Sequence, residues 1–131
     1  MQAFAATSLA SGFPSAAGLR TAINILERWG AGGDTGSAIL RVSRSTYTRA
    51  KRGEAVSLDR DQLTRVSLVL NIHAALRVLF DNPENLYGFM GMKNHNPFFE
   101  GRSPLEVIAG GDFVALYETF RRLDTLRGGQ W

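Results

Sequence analysis

The stretch "SAILRVSRSTYTRAKRGE" (residues 37–54) decides how the rest of the sequence is read. Ser43 is a suitable N-cap, because its hydroxyl can accept from a free N–H of the turn that follows. Gly53 suits the position just past a helix C-terminus, so the spacing predicts a helix that runs from Ser43 through Lys51 or Arg52. A shorter helix precedes it. Two short helices joined by a tight turn, the second one basic, form the pattern of a helix-turn-helix. Residues 36–41 make the first helix of this reading, Val42-Ser43 the turn, and 44–52 the second helix. Tyr47 and Ala50, three apart, face inward with Ile39, Leu40 and Val42. Arg44, Ser45, Thr48, Arg49 and Arg52 then point outward, where short hydroxyls and arginines suit base edges and phosphates. Lys51 and Arg41 suit phosphates. The same pattern also fits a solvated basic helix with no partner, and both readings stay open at this point.

Charge is concentrated in the same place. Residues 35–54 carry Arg41, Arg44, Arg49, Lys51 and Arg52 against Glu54, a local excess of four in a chain whose net charge is +3. A basic stretch on a near-neutral body points to an anionic partner at one position. One copy with so few cations would hold DNA weakly and with steep salt dependence, so DNA binding calls for a dimer or a larger assembly.

A length of 131 residues suits one compact domain or two very small ones, and 44% apolar residues suffice for a buried core. There is no cysteine, which fits a reducing compartment and leaves no thiolate ligands. No apolar run approaches the ~20 residues of a membrane span, so no membrane partner is expected. The opening "MQAFAATSLASGFPSAAG" has no Lys or Arg before Arg20, unlike a secretory signal. Residues 1–16 are read as a leader or arm, and a cytoplasmic location is expected.

Elsewhere the periodicity is helical throughout. "AAGLRTAINILERWG" spaces Leu19, Ile23, Leu26 and Trp29 along one face and ends at Gly30. "GAGGDTG" (30–36) reads as a flexible joint or loop. Ser57 can cap the next helix, with Asp59 and Asp61 in its first turn. Leu63, Val66, Leu70, Leu76, Leu79 and Phe80 continue a stripe that fits one long helix or two meeting near Asn71. Asn82 with Pro83 restarts a helix in "DNPENLYGFMG". "MKNHNPFFEGR" is a second loop in which Pro97-Phe98-Phe99 anchors to the core. Ser103 and Glu106 make a capping box with Pro104 at the first helical position. Asp112 opens a last helix, with Phe113, Leu116, Tyr117, Phe120, Leu123 and Leu126 on one face. No alternating strand pattern appears, and the fold class is all-α. The organisation is a leader over 1–16, a helix-turn-helix region for DNA binding and dimerisation over 17–80, and a second helical region over 81–131.

Enzymatic chemistry has little to rest on. His73 and His95 lie in a helix stripe and a loop without suitably spaced partners, so no metal site is expected. No Ser-His-Asp order and no glycine-rich phosphate loop after a strand is present, and no cofactor is expected.

"GRSPLEVIAGGD" (101–112), following "LDRDQLTRVSLVLNIHAALRVLF" (58–80) and completed by "RGGQW" (127–131), resembles the antitoxins of the Xre/MbcA/ParS class. The resemblance runs from about residue 17 onward and includes the degenerate helix-turn-helix at "SRSTYTRAKRGE". It implies a type II antitoxin that silences a RES-type toxin, a protein similar to ADP-ribosyltransferases that consumes or uses NAD. It further implies repression of its own operon, a homodimer within a hetero-oligomeric complex with the toxin, and operator DNA as a second partner. In this class the C-terminal domain binds the toxin and the final residues enter its active-site cleft. That carries over to Arg102 of the Gly-Arg-Ser motif, and to Arg127, Gly128, Gly129, Gln130 and Trp131. The segment "GFMGMKNHNPFFEG" departs from the family, which more often has a tryptophan-containing helix there.

Two readings of these residues compete with the toxin role. Arg102 can equally hold a loop carbonyl or a carboxylate such as Glu106 or Asp112. Trp131 can pack on its own domain. Its burial removes up to ~250 Å², about 6 kcal/mol at ~25 cal/mol/Å². Ordering Gly128 to Trp131 costs roughly 1–2 kcal/mol per residue, which nearly cancels that gain. The tail is therefore a poor anchor by itself; the resemblance implies that it acts as a plug on a domain docked by other contacts, and its four residues can span up to ~14 Å. The other functional class that fits is a helix-turn-helix transcriptional regulator without a toxin partner.

Overall fold

Seven α-helices and one 3-10 turn make up the regular structure of residues 15–128, which are the residues described by the computed structural model. Gly129, Gln130, Trp131 and most of the segment read as a leader lie outside the described residues. The first helix, α1 (Ser15–Arg28), buries Leu19, Ala22, Ile23 and Leu26 completely, the i, i+3, i+4, i+7 stripe of an amphipathic helix. Trp29 continues the stripe and is buried.

The next helix corrects the sequence reading. Only residues 30–32 form the expected joint or loop, because α2 spans Gly33–Leu40 and takes in the rest of that glycine-rich run. Its glycines serve close packing. A Cβ on Gly33 would lie 2.6 Å from the Arg44 guanidinium, and one on Gly36 would lie 2.9 Å from the Tyr47 hydroxyl. The propensity penalty of about 1 kcal/mol per glycine is offset by that contact. The first helix of the motif therefore starts three residues earlier than the expected 36–41, and Arg41 is not in it. Arg41 is left-handed (φ 56°), the Val42 N–H bonds the Ser37 carbonyl at 3.0 Å, and the Arg41 N–H bonds the Ala38 carbonyl at 3.2 Å. This is a Schellman closure with an arginine where glycine is usual. Buried Val42 supplies its apolar contact.

Helix α3 (Arg44–Lys51) starts as expected, with Ser43 Oγ accepting from the Thr46 N–H at 3.0 Å. Helix α4 (Arg60–Leu79) is one uninterrupted helix, and its cap is Asp59, not Ser57. Asp59 and Gln62 form a reciprocal capping box with bonds of 2.9 and 2.8 Å, and Gln62 also donates to the Arg41 carbonyl at 2.8 Å. That second tie to the α2 turn favours Asp59 over Ser57. Val66, Leu68, Val69, Ile72, Ala75 and Leu76 of α4 are buried on more than one side, because α1 packs on one flank and the last helix on another. Leu63, Leu70, Leu79 and Phe80, expected in the stripe, are only half-buried.

Helix α5 (Pro83–Gly88) is capped by Asn82, and a 3-10 turn over Phe89–Gly91 inserts Met90 into the core. The loop that follows is tied at its base by bonds from Asn94 N–H to the Arg102 carbonyl (3.0 Å) and from Gly101 N–H to the Asn94 carbonyl (2.8 Å). Of the expected anchor Pro97-Phe98-Phe99, Phe99 is fully buried, Phe98 is half-buried and Pro97 is exposed. Helix α6 (Pro104–Ile108) has the Ser103–Glu106 capping box, and α7 (Phe113–Arg127) is capped by Asp112. On α7, Leu116, Phe120 and Leu123 are buried against α4, with Phe113, Tyr117 and Leu126 half-buried beside them.

Candidate nucleic-acid interface

The inward face of α3 is settled by Tyr47 and Ala50, which pack with Ile39, Leu40 and Val42 in one buried cluster. Arg44, Ser45, Thr48, Arg49, Lys51 and Arg52 are all exposed on its other side. The helical period puts the apolar pair on one face and leaves the six polar residues in solvent. Four of them, Arg44, Thr48, Lys51 and Arg52, line one open cleft of about 430 Å³ with Glu27, Gly33 and Tyr47. The cleft lies where the end of α1, the start of α2 and the outer face of α3 meet. Arg49 is turned away toward the connection to α4, where its guanidinium donates to the Ala55 carbonyl at 2.9 Å.

Every cation of this segment is paired with a carboxylate. Arg44 pairs with Asp34, and Lys51 Nζ lies 2.6 Å from Glu27 Oε2. Arg49 and Arg52 share Glu54 at 3.5 and 3.4 Å. Arg41 bonds Asp61 through Nε and Asp59 through Nη2, both at 2.5 Å. The hydrogen bond from Glu27 holds the Lys51 ammonium above its ordinary pKa, and Asp61 and then Asp59 do the same for Arg41. The Asp59 carboxyl is held below its usual range, first by the Gln62 N–H and then by Arg41. Burial raises the Tyr47 phenol, whose hydroxyl is enclosed without a hydrogen-bond partner.

Arg65 is the functional-site neighbour that the sequence reading missed. It is 6% exposed and lies beneath the turn. Nη1 donates to the Ile39 carbonyl at 3.1 Å and to the Gly111 carbonyl at 2.7 Å, while Nε pairs with Asp61 at 3.0 Å. Ile39 carries one of the α2 carbonyls that helix geometry leaves free, so Arg65 completes that helix end. Gly111 (φ 84°) can approach only as glycine, since a Cβ there would lie 2.6 Å from the Ala38 carbonyl oxygen. A charge set inside the apolar run "QLTRVSLVL" was the available signal for Arg65.

The candidate residues of the second half are described only in part. Arg102 Nε donates to the Phe99 carbonyl at 2.9 Å and Nη2 to the Phe98 carbonyl at 3.4 Å, the loop-carbonyl role weighed above, and the side chain stays exposed. Arg127 bonds Asp124 within α7 at 2.6 Å, and Gly128 caps that helix. Nothing brings Arg102 and Arg127 into contact. Among the described residues no group of three or more His, Cys, Asp or Glu could hold a metal ion, and no helix is long and apolar enough to cross a membrane.

A helix with one buried face, the tight Schellman turn before it and Ser43 as its N-cap define a helix-turn-helix. Residues 8–71 match the antitoxin Xre-like helix-turn-helix domain. Over 112 residues the chain is 32% identical to the uncharacterized protein y4oB of Sinorhizobium fredii (strain NBRC 101917 / NGR234), covering 85% of this chain and 84% of that one. The chain belongs to one family with that protein, and it carries an N-terminal Xre-like helix-turn-helix domain.

Proposed function

We propose that this protein is a type II antitoxin that binds and neutralises a RES-type, NAD-using toxin and represses its own operon. The observation that carries the reading is the antitoxin-type helix-turn-helix over residues 8–71, joined to a second helical region with the motifs of the Xre/MbcA/ParS class. Residues 17–80 serve DNA binding and dimerisation, and 81–131 dock on the toxin. Arg44, Ser45, Thr48, Lys51 and Arg52 face the operator, and Arg49 joins them when its bond to the Ala55 carbonyl opens. Arg102 and Arg127 contribute to the toxin side, and Gly128 to Trp131 enter the active-site cleft. Arg102 can do this while holding its loop, because its guanidinium edge remains in solvent. The complex contains a homodimer of this chain, and it works in the cytoplasm.

The direct test is co-expression with the neighbouring gene, reading growth and cellular NAD. The full chain restores both, and a chain ending at Arg127 restores neither while still co-purifying with the toxin. Full rescue by the shortened chain overturns the plug. A plain transcriptional regulator is the second reading, since the exposed polar face of α3 serves that class equally well. For that class Arg49→Ala abolishes function in cells and the tail is dispensable.

A further inference from the structure

The local excess of four over residues 35–54 is largely cancelled in the folded chain. Glu27 from α1, Asp34 from α2, and Asp59 and Asp61 at the start of α4 join Glu54 on the five cations Arg41, Arg44, Arg49, Lys51 and Arg52. A face suited to a polyanion is thus nearly neutral at rest, the sixth cation on these carboxylates being buried Arg65. Three of these carboxylates have no other duty. Asp59 caps α4, and Asp61 is shared with buried Arg65, whereas Glu27, Asp34 and Glu54 make no side-chain bond other than to the reading helix.

We propose that Glu27, Asp34 and Glu54 are affinity-setting residues of the DNA face: each holds an α3 cation in an ion pair that a backbone phosphate must take over. The proposal rests on the DNA-binding reading of α3. The pairs are exposed, with the Asp34 side chain 93% in solvent, so exchange to a phosphate is easy, since water competes for both partners. The displaced carboxylates nevertheless stay within the Debye length of ~10 Å at 0.1 M salt and repel the incoming backbone. Non-specific capture of DNA is thereby suppressed, and only a site that satisfies several contacts together overcomes the repulsion. Glu27 and Lys51 are 24 residues apart in sequence and Asp34 and Arg44 are 10 apart, so the masking exists only in the folded chain.

The test compares the full chain with Glu27→Gln/Asp34→Asn/Glu54→Gln by fluorescence anisotropy, on a duplex from upstream of its own gene and on a random duplex of equal length. Glu84→Gln/Glu118→Gln/Asp124→Asn, on α5 and α7, adds the same charge away from the face. At ~0.1 M salt the first triple variant should bind both duplexes roughly tenfold tighter and lose selectivity between them. Its plot of log affinity against log salt should steepen by about one for each cation freed. The control should differ from wild type by less than roughly threefold. Glu27→Gln alone should move in the same direction, which covers misfolding of the triple variant. Wild-type binding with no gain over the control and an unchanged slope overturns the masking and leaves the DNA reading standing. No binding by any variant at low salt overturns both.

Discussion

Replacing Arg65 by methionine isolates the junction that positions the helix-turn-helix. Methionine keeps most of the buried stem and removes the guanidinium. The variant loses both donors to the Ile39 and Gly111 carbonyls, the pair with Asp61, and the 5.6 Å stacking over the Phe113 ring. Asp61 stays paired with Arg41, so no buried charge is stranded. The enclosed Ile39 carbonyl costs about 1–3 kcal/mol when left unpaired, and the partly open Gly111 carbonyl costs about 1 kcal/mol. The lost cation–π contact adds roughly 0.5–1 kcal/mol. A destabilisation of about 2.5–5 kcal/mol follows, equivalent to a fall in melting temperature of roughly 8–20 °C for a chain of this length. Urea unfolding followed by circular dichroism gives the free energy, and a thermal scan gives the shift. Lys51→Met, which breaks an exposed pair, should cost less than about 1 kcal/mol in the same assay. If Arg65→Met costs no more than Lys51→Met, Arg65 is not the tie between α2 and the start of α7.

Gly111→Ala should destabilise by more than about 2 kcal/mol, because the added Cβ meets the Ala38 carbonyl and φ is 84°; a melting point equal to wild type would show that the turn can move. Tyr47→Phe should be neutral or stabilising by about 1 kcal/mol, since the hydroxyl is enclosed without a partner, and a clear loss in urea unfolding contradicts this. His73 stacks on Tyr87 at 5.6 Å, and burial, then Arg77 and Arg28, holds its pKa below the ordinary 6.5. The unfolded chain therefore takes up this proton at higher pH than the folded one. Stability from His73 is full above about pH 6.5 and falls as the pH drops below it. His73→Gln should flatten the thermal midpoint between about pH 7 and pH 5; an unchanged slope refutes the assignment.

Local signals were readable where local chemistry decides them. Ser43, Asn82, Ser103 with Glu106, and Asp112 all cap as their side chains suggest, and the inward placing of Tyr47 and Ala50 follows from the helical period alone. Glycines misled because they were read as backbone freedom. Gly33 and Gly36 sit in a helix, selected by the Arg44 and Tyr47 side chains that cross them. Ser57 lost the cap to Asp59 through contacts with Arg41, a residue far away in sequence. The ion pairs over α3 were invisible for the same reason. Motif pieces that carry the family resemblance also have structural duties here, the Ser-Pro-Leu-Glu capping box and the close approach of Gly111 to α2 among them.

The most direct measurement is growth and NAD content of cells that express the adjacent gene with and without this chain. The expected result is collapse of both with the neighbour alone, recovery with the full chain, and no recovery with a chain ending at Arg127. Normal growth and NAD with the neighbour alone, or toxicity that the full chain does not relieve, would contradict the antitoxin reading.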